Sequence, residues 1–187
     1  MPLLEGEYRK TEKIDGVIYD MSPSPNYLHG VVDGNIYTII KKNLKDSLCL
    51  VFMENLDFKY QPQKSDDYVI PDIMIVCDRS KIKGGSYTGI PKFVVETLSP
   101  STAMRDLSTK KNIYETAGVL EYWIVSPREC GVQIYYLNDG KYELVNSYIL
   151  ENDKANEHYN AETAITLRAF PQIHMTLADI FEDVPID

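Results

Sequence analysis

Val69-Ile70-Pro71-Asp72-Ile73-Met74-Ile75-Val76 is an apolar run broken by one carboxylate, and Phe93-Val94-Val95-Glu96-Thr97-Leu98 repeats the pattern. Runs so rich in Val, Ile and Phe read as strands covered on both faces. An ionised side chain in such a strand is costly unless it is paired or bound to a metal. A divalent cation is the simplest partner for Asp72 and Glu96 together.

Between the two runs, Lys81-Ile82-Lys83-Gly84-Gly85-Ser86-Tyr87-Thr88-Gly89 is polar and glycine-rich, and reads as a loop joining the two carboxylate strands. Upstream, Asp15-Gly16 predicts a turn into an early strand over Val17, Ile18 and Tyr19, stopped by Ser22-Pro23-Ser24-Pro25-Asn26. Leu28, Val31, Val32, Ile36, Ile39, Ile40 and Leu44 then recur at three- and four-residue spacing, which predicts a helix with one buried stripe. Leu48 to Met53, and the alternating Leu56, Phe58 and Tyr60, predict two more strands. Downstream, Ser99-Pro100-Ser101-Thr102 offers hydroxyl caps for a helix running to Ala117, with Gly118 as its stop. Glu121 to Val125 and the alternating Val132, Ile134 and Tyr136 read as strands. Asn138-Asp139-Gly140 reads as a hairpin turn, and Thr176 as the cap of a last short helix after a polar loop from Glu151 to Glu162.

At 187 residues, 44% hydrophobic and 25% charged, the chain is long enough for a sizeable core and reads as one domain, 1–187. No apolar stretch reaches the length of a membrane span, and Met1-Pro2-Leu3-Leu4-Glu5-Gly6-Glu7 lacks the basic region and apolar core of a secretory signal. A cytoplasmic protein without membrane attachment is expected. Cys49, Cys77 and Cys130 are odd in number and form no Cys-x-x-Cys pair, which predicts reduced structural thiols. The formal net charge of -9 argues against indiscriminate phosphate binding, though not against nucleic acid as a substrate. Lys41, Lys42 and Lys45, and Lys81 and Lys83, read as solvated faces. Arg105, Lys110 and Lys111 form a third cationic group.

Phosphodiester hydrolysis is slow because the substrate is anionic and water is a poor nucleophile, so enzymes commonly supply magnesium held by one or two carboxylates. Asp72 and Glu96 would provide them if their strands are neighbours. A lysine usually complements the acids, positioning water and offsetting charge. Two residues after Glu96, on the same strand face, stands Leu98. On the next helix Asp106, Lys110 and Tyr114 share one face at four-residue intervals, either as a surface ion pair with a core tyrosine or as part of a site. His29 falls on the stripe of Ile36 and Ile40, as a structural histidine or a site-facing one. Asp15, Asp20 and Glu54 read as exposed charges, with a site-facing role as the alternative. His158 and His174 have no ligand spacing. Trp123 reads as buried rather than as a base-stacking platform. No nucleophile elbow and no Gly-x-x-x-x-Gly-Lys stretch competes with this reading.

The order Asp15-Gly16, Ser22-Pro23 to His29, Pro71-Asp72, Glu96-Thr97-Leu98-Ser99-Pro100-Ser101-Thr102, Asp106 to Lys110 to Tyr114, and Gly118-Val119-Leu120-Glu121-Tyr122-Trp123 resembles the Uma-two family of restriction endonucleases. The match spans roughly residues 10 to 145, and its two most specific parts are the segments after Glu96 and after Gly118. The family belongs to the PD-(D/E)XK nuclease superfamily, so the resemblance implies an α/β fold, with a restriction-endonuclease-like mixed central sheet flanked by helices. It implies that Asp72 and Glu96 are catalytic and hold magnesium or manganese. Leu98 departs from the superfamily lysine, as is usual in this family, and Lys110 resembles its migrated replacement. His29 stands where the family tends to have a histidine, and His29, Asp106 and Tyr114 are supporting candidates. The implied activity is metal-dependent hydrolysis of DNA, with a homodimer as a further expectation. The alternative is a catalytically inactive module of the same fold that binds nucleic acid or a protein partner.

Overall fold

The computed structural model describes residues 10–21, 27–100 and 103–185. A hairpin of β1 (Thr11–Ile14) and β2 (Val17–Asp20) comes first, turned by Asp15 and Gly16 at φ 50° and 77°. Helix α1 (Tyr27–Asn43) follows and buries Val32, Ile36 and Ile40, the stripe its spacing predicts. Next come β3 (Leu50–Met53), β4 (Asp57–Phe58) and β5 (Ile73–Val76). The two-residue strands β6 (Ile82–Lys83) and β7 (Ser86–Tyr87) precede β8 (Phe93–Thr97). A π-helical turn at Arg105–Lys110 runs into α2 (Lys111–Ala117) and crosses over to β9 (Glu121–Ser126). Then come β10 (Gly131–Asn138), β11 (Lys141–Ile149), β12 (Ala164–Leu167), β13 (Phe170–Thr176) and α3 (Leu177–Ile180).

Six strands form the central sheet in the order β11-β10-β9-β8-β5-β3. β8 and β9 are parallel and the remaining pairs antiparallel, so this is a mixed sheet. The single parallel pair is the one that needs a crossover, and α2 supplies it. Every residue of β5 and β8 is buried, because helices and hairpins cover both faces. Ile73, Ile75, Phe93, Val95 and Trp123 pack in one core with Val32, Ile36 and Ile40 of α1. Met74, Val94, Tyr122 and Ile124 pack in a second core with Tyr114 of α2. Trp123 is fully buried, edge-on to Phe93 at 5.1 Å, so its ring is a core element. We call these two sides the α1 face and the α2 face.

The predicted helix stop holds: Gly118 sits in the left-handed region at φ 87° and its N–H reaches the carbonyls of Tyr114 and Glu115. The hairpin turn between β10 and β11 places Asp139 and Gly140 at φ 47° and 78°. Thr176 caps α3 in a reciprocal box with Asp179. The predicted stop at Ser22-Pro23-Ser24-Pro25-Asn26 and the capping hydroxyls of Ser101 and Thr102 lie outside the described residues.

Three expectations are corrected. Cys49 and Cys77 are joined in a disulfide, and Cys130 alone is a free, buried thiol. Leu50 pairs with Val76, so the antiparallel register sets the flanking cysteines opposite each other, a closeness no sequence spacing reveals. The strand expected over Leu56 to Tyr60 shrinks to β4. It pairs with β7 in a small three-stranded sheet, which also gives the glycine-rich loop strand structure.

Candidate active site

β5 and β8 are direct neighbours, with Ile73 opposite Val95, so Asp72 and the Glu96-Thr97 pair meet at one end of the ladder. Asp72 Oδ2 accepts the Thr97 backbone N–H at 2.7 Å, and Glu54 N–H reaches the Asp72 carbonyl at 3.0 Å. Asp72 is thereby fixed from both adjacent strands.

On the α1 face, His29 and Asp33 lie one helical turn apart and are both buried. His29 Nε2 is 3.3 Å from Asp72 Oδ2, and Nδ1 is 2.9 Å from Asp33 Oδ2 and 3.8 Å from Glu54 Oε1. The Thr97 hydroxyl donates to Asp33 Oδ1 at 2.5 Å. Burial on its own would lower the His29 pKa, but its contacts with Asp33 and Asp72 outweigh that and push it up to about 11. Burial raises Asp33 to about 6, against the pull of His29. Burial would also raise Asp72, yet His29, Lys110 and the Thr97 N–H hold it below the usual carboxylate range.

On the α2 face, Lys110 Nζ donates to both oxygens of Glu96, at 3.1 and 3.0 Å, and Tyr114 OH donates to Glu96 Oε1. Lys110 is also 2.8 Å from Glu12 Oε1 and 3.7 Å from Asp106 Oδ1. Glu12 in turn accepts the Ile70 N–H at 2.9 Å and lies 3.4 Å from Arg105 Nη1. Burial would strip Lys110 of its proton, but Glu96, Glu12, Asp106 and Asp72 hold its pKa well above the ordinary value. Burial pushes Glu96 well above its own, against the field of Lys110. The π-turn delivers Asp106 and Lys110 to this cluster from a crossover that would otherwise be a plain helix.

The structure therefore brings together Asp72, Glu96, Lys110, Asp106, Tyr114 and His29, and it places Glu54 beside them rather than out in solvent. Asp15, Asp20, His158 and His174 are exposed and apart from the cluster. The cationic group dissolves: Lys110 is buried, Arg105 lies over the Tyr19 ring at 4.4 Å, and Lys111 lies over Tyr135 at 3.9 Å. Glu12, Asp33 and Thr97 also belong to the buried cluster, and the sequence reasoning missed them. Asp33 carried a signal, since it stands four residues after His29 on the buried stripe. Glu12 carried a weaker one, two residues before the inward-facing Ile14. Leu98, with Leu28, Pro100 and His29, lines a cleft of about 440 Å³ beside the site.

The family described as "Uma2: Putative restriction endonuclease" matches residues 1–178. The chain belongs to the Uma2 family. One relative, an uncharacterized protein of Synechocystis sp. (slr1290), is 30% identical over 145 residues, covering 77% of this chain and 75% of its own length. The fold is similar to that of a crystallised "putative nuclease belonging to DUF820" from Anabaena variabilis. The TM-score is 0.68 at 18% identity, over 96% of this chain and 93% of the other. That likeness shows the fold, and the Uma2 match shows the family. Among the described residues no helix is long and apolar enough to cross a membrane.

A divalent cation implied by the nuclease fold has donors here that fit it. Glu96 Oε1 takes both Lys110 and Tyr114, whereas Oε2 takes Lys110 alone and keeps a lone pair. Asp72 is fixed through Oδ2 at the same strand end.

Proposed function

We propose that this Uma2 protein is a metal-dependent endonuclease that hydrolyses DNA phosphodiester bonds, with residues 1–187 acting as a single domain of PD-(D/E)XK type. Asp72 and Glu96 would hold magnesium or manganese, which when bound polarises the phosphate and lowers the pKa of a coordinated water. Lys110 supplies the positive charge that orients a nucleophile and offsets the negative charge building on the phosphorane-like transition state. Tyr114 and Glu12 fix the position of Lys110 and Glu96, and Asp106 adds to the field that keeps Lys110 charged. A cytoplasmic location belongs to this reading. The Cys49–Cys77 disulfide is the structural feature that speaks against that compartment. A homodimer would let two such sites act on opposite strands.

The observation that carries this reading is the reach of Lys110 from the crossover helix to Glu96, at 3.1 and 3.0 Å, while Leu98 occupies the usual lysine position. A cation thus stands at the acidic strand end by another route. The second reading, an inactive module that binds nucleic acid or protein, is favoured by one feature of the same contact. Glu12, Glu96 and Asp106 surround Lys110 so closely that its charge is already spent within the protein.

Cleavage of supercoiled plasmid and single-stranded DNA with Mn²⁺, by wild type and E96A purified in parallel, separates the two. Nicking by wild type alone is the expected outcome. Equal behaviour of the two proteins on both substrates selects the binding module.

A further inference from the structure

The α1 face holds polar groups that the proposed reaction leaves unused. His29, Asp33, Glu54 and Asp72 each offer one ligand atom, and these atoms all lie within 4.8 Å of one another. We propose that they form a cation site of their own, distinct from the Asp72–Glu96 pair and sharing Asp72 with it, which takes a divalent transition-metal ion such as Mn²⁺. The site deepens the nuclease reading and rests on it for the role of Asp72.

Acids gather on protein surfaces without binding ions, so proximity alone decides little. The deciding observation is that Nδ1 of His29 and Oδ2 of Asp33 are buried and stand 2.9 Å apart, yet neither makes an aligned hydrogen bond. They form a close ion pair, but the imidazole N–H is not aligned on the carboxylate oxygen, so part of the hydrogen-bonding capacity of two buried groups goes unused, which is costly. An ion bonded to both would satisfy them at once. Ligands about 2.0–2.2 Å from a common ion lie roughly 3–4 Å apart, close to the present separations. The supports are also of the kind that hold metal ligands in place. The Thr97 hydroxyl orients Asp33 at 2.5 Å, the Thr97 N–H holds Asp72 at 2.7 Å, and the Glu54 N–H ties Glu54 to the Asp72 carbonyl at 3.0 Å.

Glu54 is the one member of the group that meets solvent, at 31% exposure, and it gives an ion a way in. Its other oxygen is held by Lys10 at 2.8 Å. Three carboxylates and one imidazole suit manganese, iron or zinc better than magnesium, which prefers an all-oxygen octahedral shell. Glu96 has no place in this group. Its hydrogen-bond partners, Lys110 and Tyr114, come from the π-turn and α2, whereas His29 and Asp33 come from α1.

The test is Mn²⁺ binding to tag-free protein, read by thermal unfolding and by the nitrogen modulation in the Mn²⁺ electron spin echo. Wild type should gain thermal stability with Mn²⁺ and show nitrogen coupling from His29. E96Q should keep both. E54Q, altered at the exposed edge and so expected to fold, should weaken Mn²⁺ about tenfold or more, and D33N should do the same. Binding without nitrogen coupling that disappears in E96Q overturns this site but leaves the nuclease reading intact. So does cleavage of DNA by a wild type whose Mn²⁺ affinity is unchanged in both E54Q and D33N. Failure of wild type to bind Mn²⁺ overturns the site, and plasmid cleavage in the same preparation with Mg²⁺ then judges the nuclease reading separately.

Discussion

Asp72 stands between two acidic clusters that solve the same electrostatic problem differently. On the α2 face the acids Glu12, Glu96 and Asp106 gather around a lysine that has no other possible role than cation, and a tyrosine completes the hydrogen bonding of Glu96. On the α1 face the acids Asp33, Glu54 and Asp72 gather around a histidine, which can be a cation when protonated or a metal ligand when neutral. A lysine fixes the charge balance of a buried site permanently. A histidine leaves it open to exchange, and the unaligned contact between His29 and Asp33 shows that the exchangeable side is also the less satisfied one.

The largest effect that could break this comparison is at Lys110. K110M removes the cation and leaves three buried acids uncompensated, which should cost about 3–5 kcal/mol by urea unfolding and abolish DNA cleavage. A loss under ~1 kcal/mol would mean that the α2 cluster does not depend on its built-in charge. Pairing the change with E12Q should recover part of the stability, because one of the orphaned acids is then neutral.

A buried carboxylate outside both clusters serves as calibration. Burial raises Glu121 from 4.5 to about 7, although Trp123 and the Arg168 N–H donate to it. A group with a raised folded pKa contributes stability that is complete below its unfolded value and lost as pH rises through the folded one. Stability should therefore fall between about pH 4.5 and 7, by at most about 3 kcal/mol, and E121Q should remove most of that slope. Slope that survives in E121Q has the sign expected of both Asp33, raised to about 6, and Glu96, also raised by burial, so the part of it that D33N then removes reports on the α1 face. A flat wild-type profile across this range would show that Glu121 is already well solvated.

The sequence revealed these clusters unevenly, for physical reasons. Asp72 and Glu96 were legible because a charge inside a run of Val, Ile and Phe has few explanations. Lys110 and Tyr114 were legible because four-residue spacing puts side chains on one face whether or not the turn is π-helical. Glu12 was not, since its strand offers only Glu12 and Ile14 on the inward face and two positions make no pattern. Asp33 was passed over because a lone acid beside Val32 on an apolar stripe makes no pattern, although it stands four residues after His29. The mixed sheet was expected from the family resemblance, and the helical crossover between β8 and β9 agrees with its one parallel pair. The disulfide and the small sheet of two-residue strands depend on register, which periodicity does not carry.

The smaller effects belong to the α1 face and test whether it differs from its neighbour in kind. Without metal, D33N should cost only about 1 kcal/mol, because the asparagine carbonyl can still accept from Thr97 and the lost charge was raised in pKa already. E54Q should cost less still, within ~0.5 kcal/mol, since Glu54 is 31% exposed and its bond to Lys10 is a half-solvated ion pair. Urea unfolding of the metal-free proteins measures both. If E54Q lost as much as K110M, Glu54 would be a structural acid, and the two faces would be two versions of one ion-pair network. If its loss is small, Glu54 is retained beside His29 at little gain to the fold. Its carboxylate then has a use only when something cationic arrives.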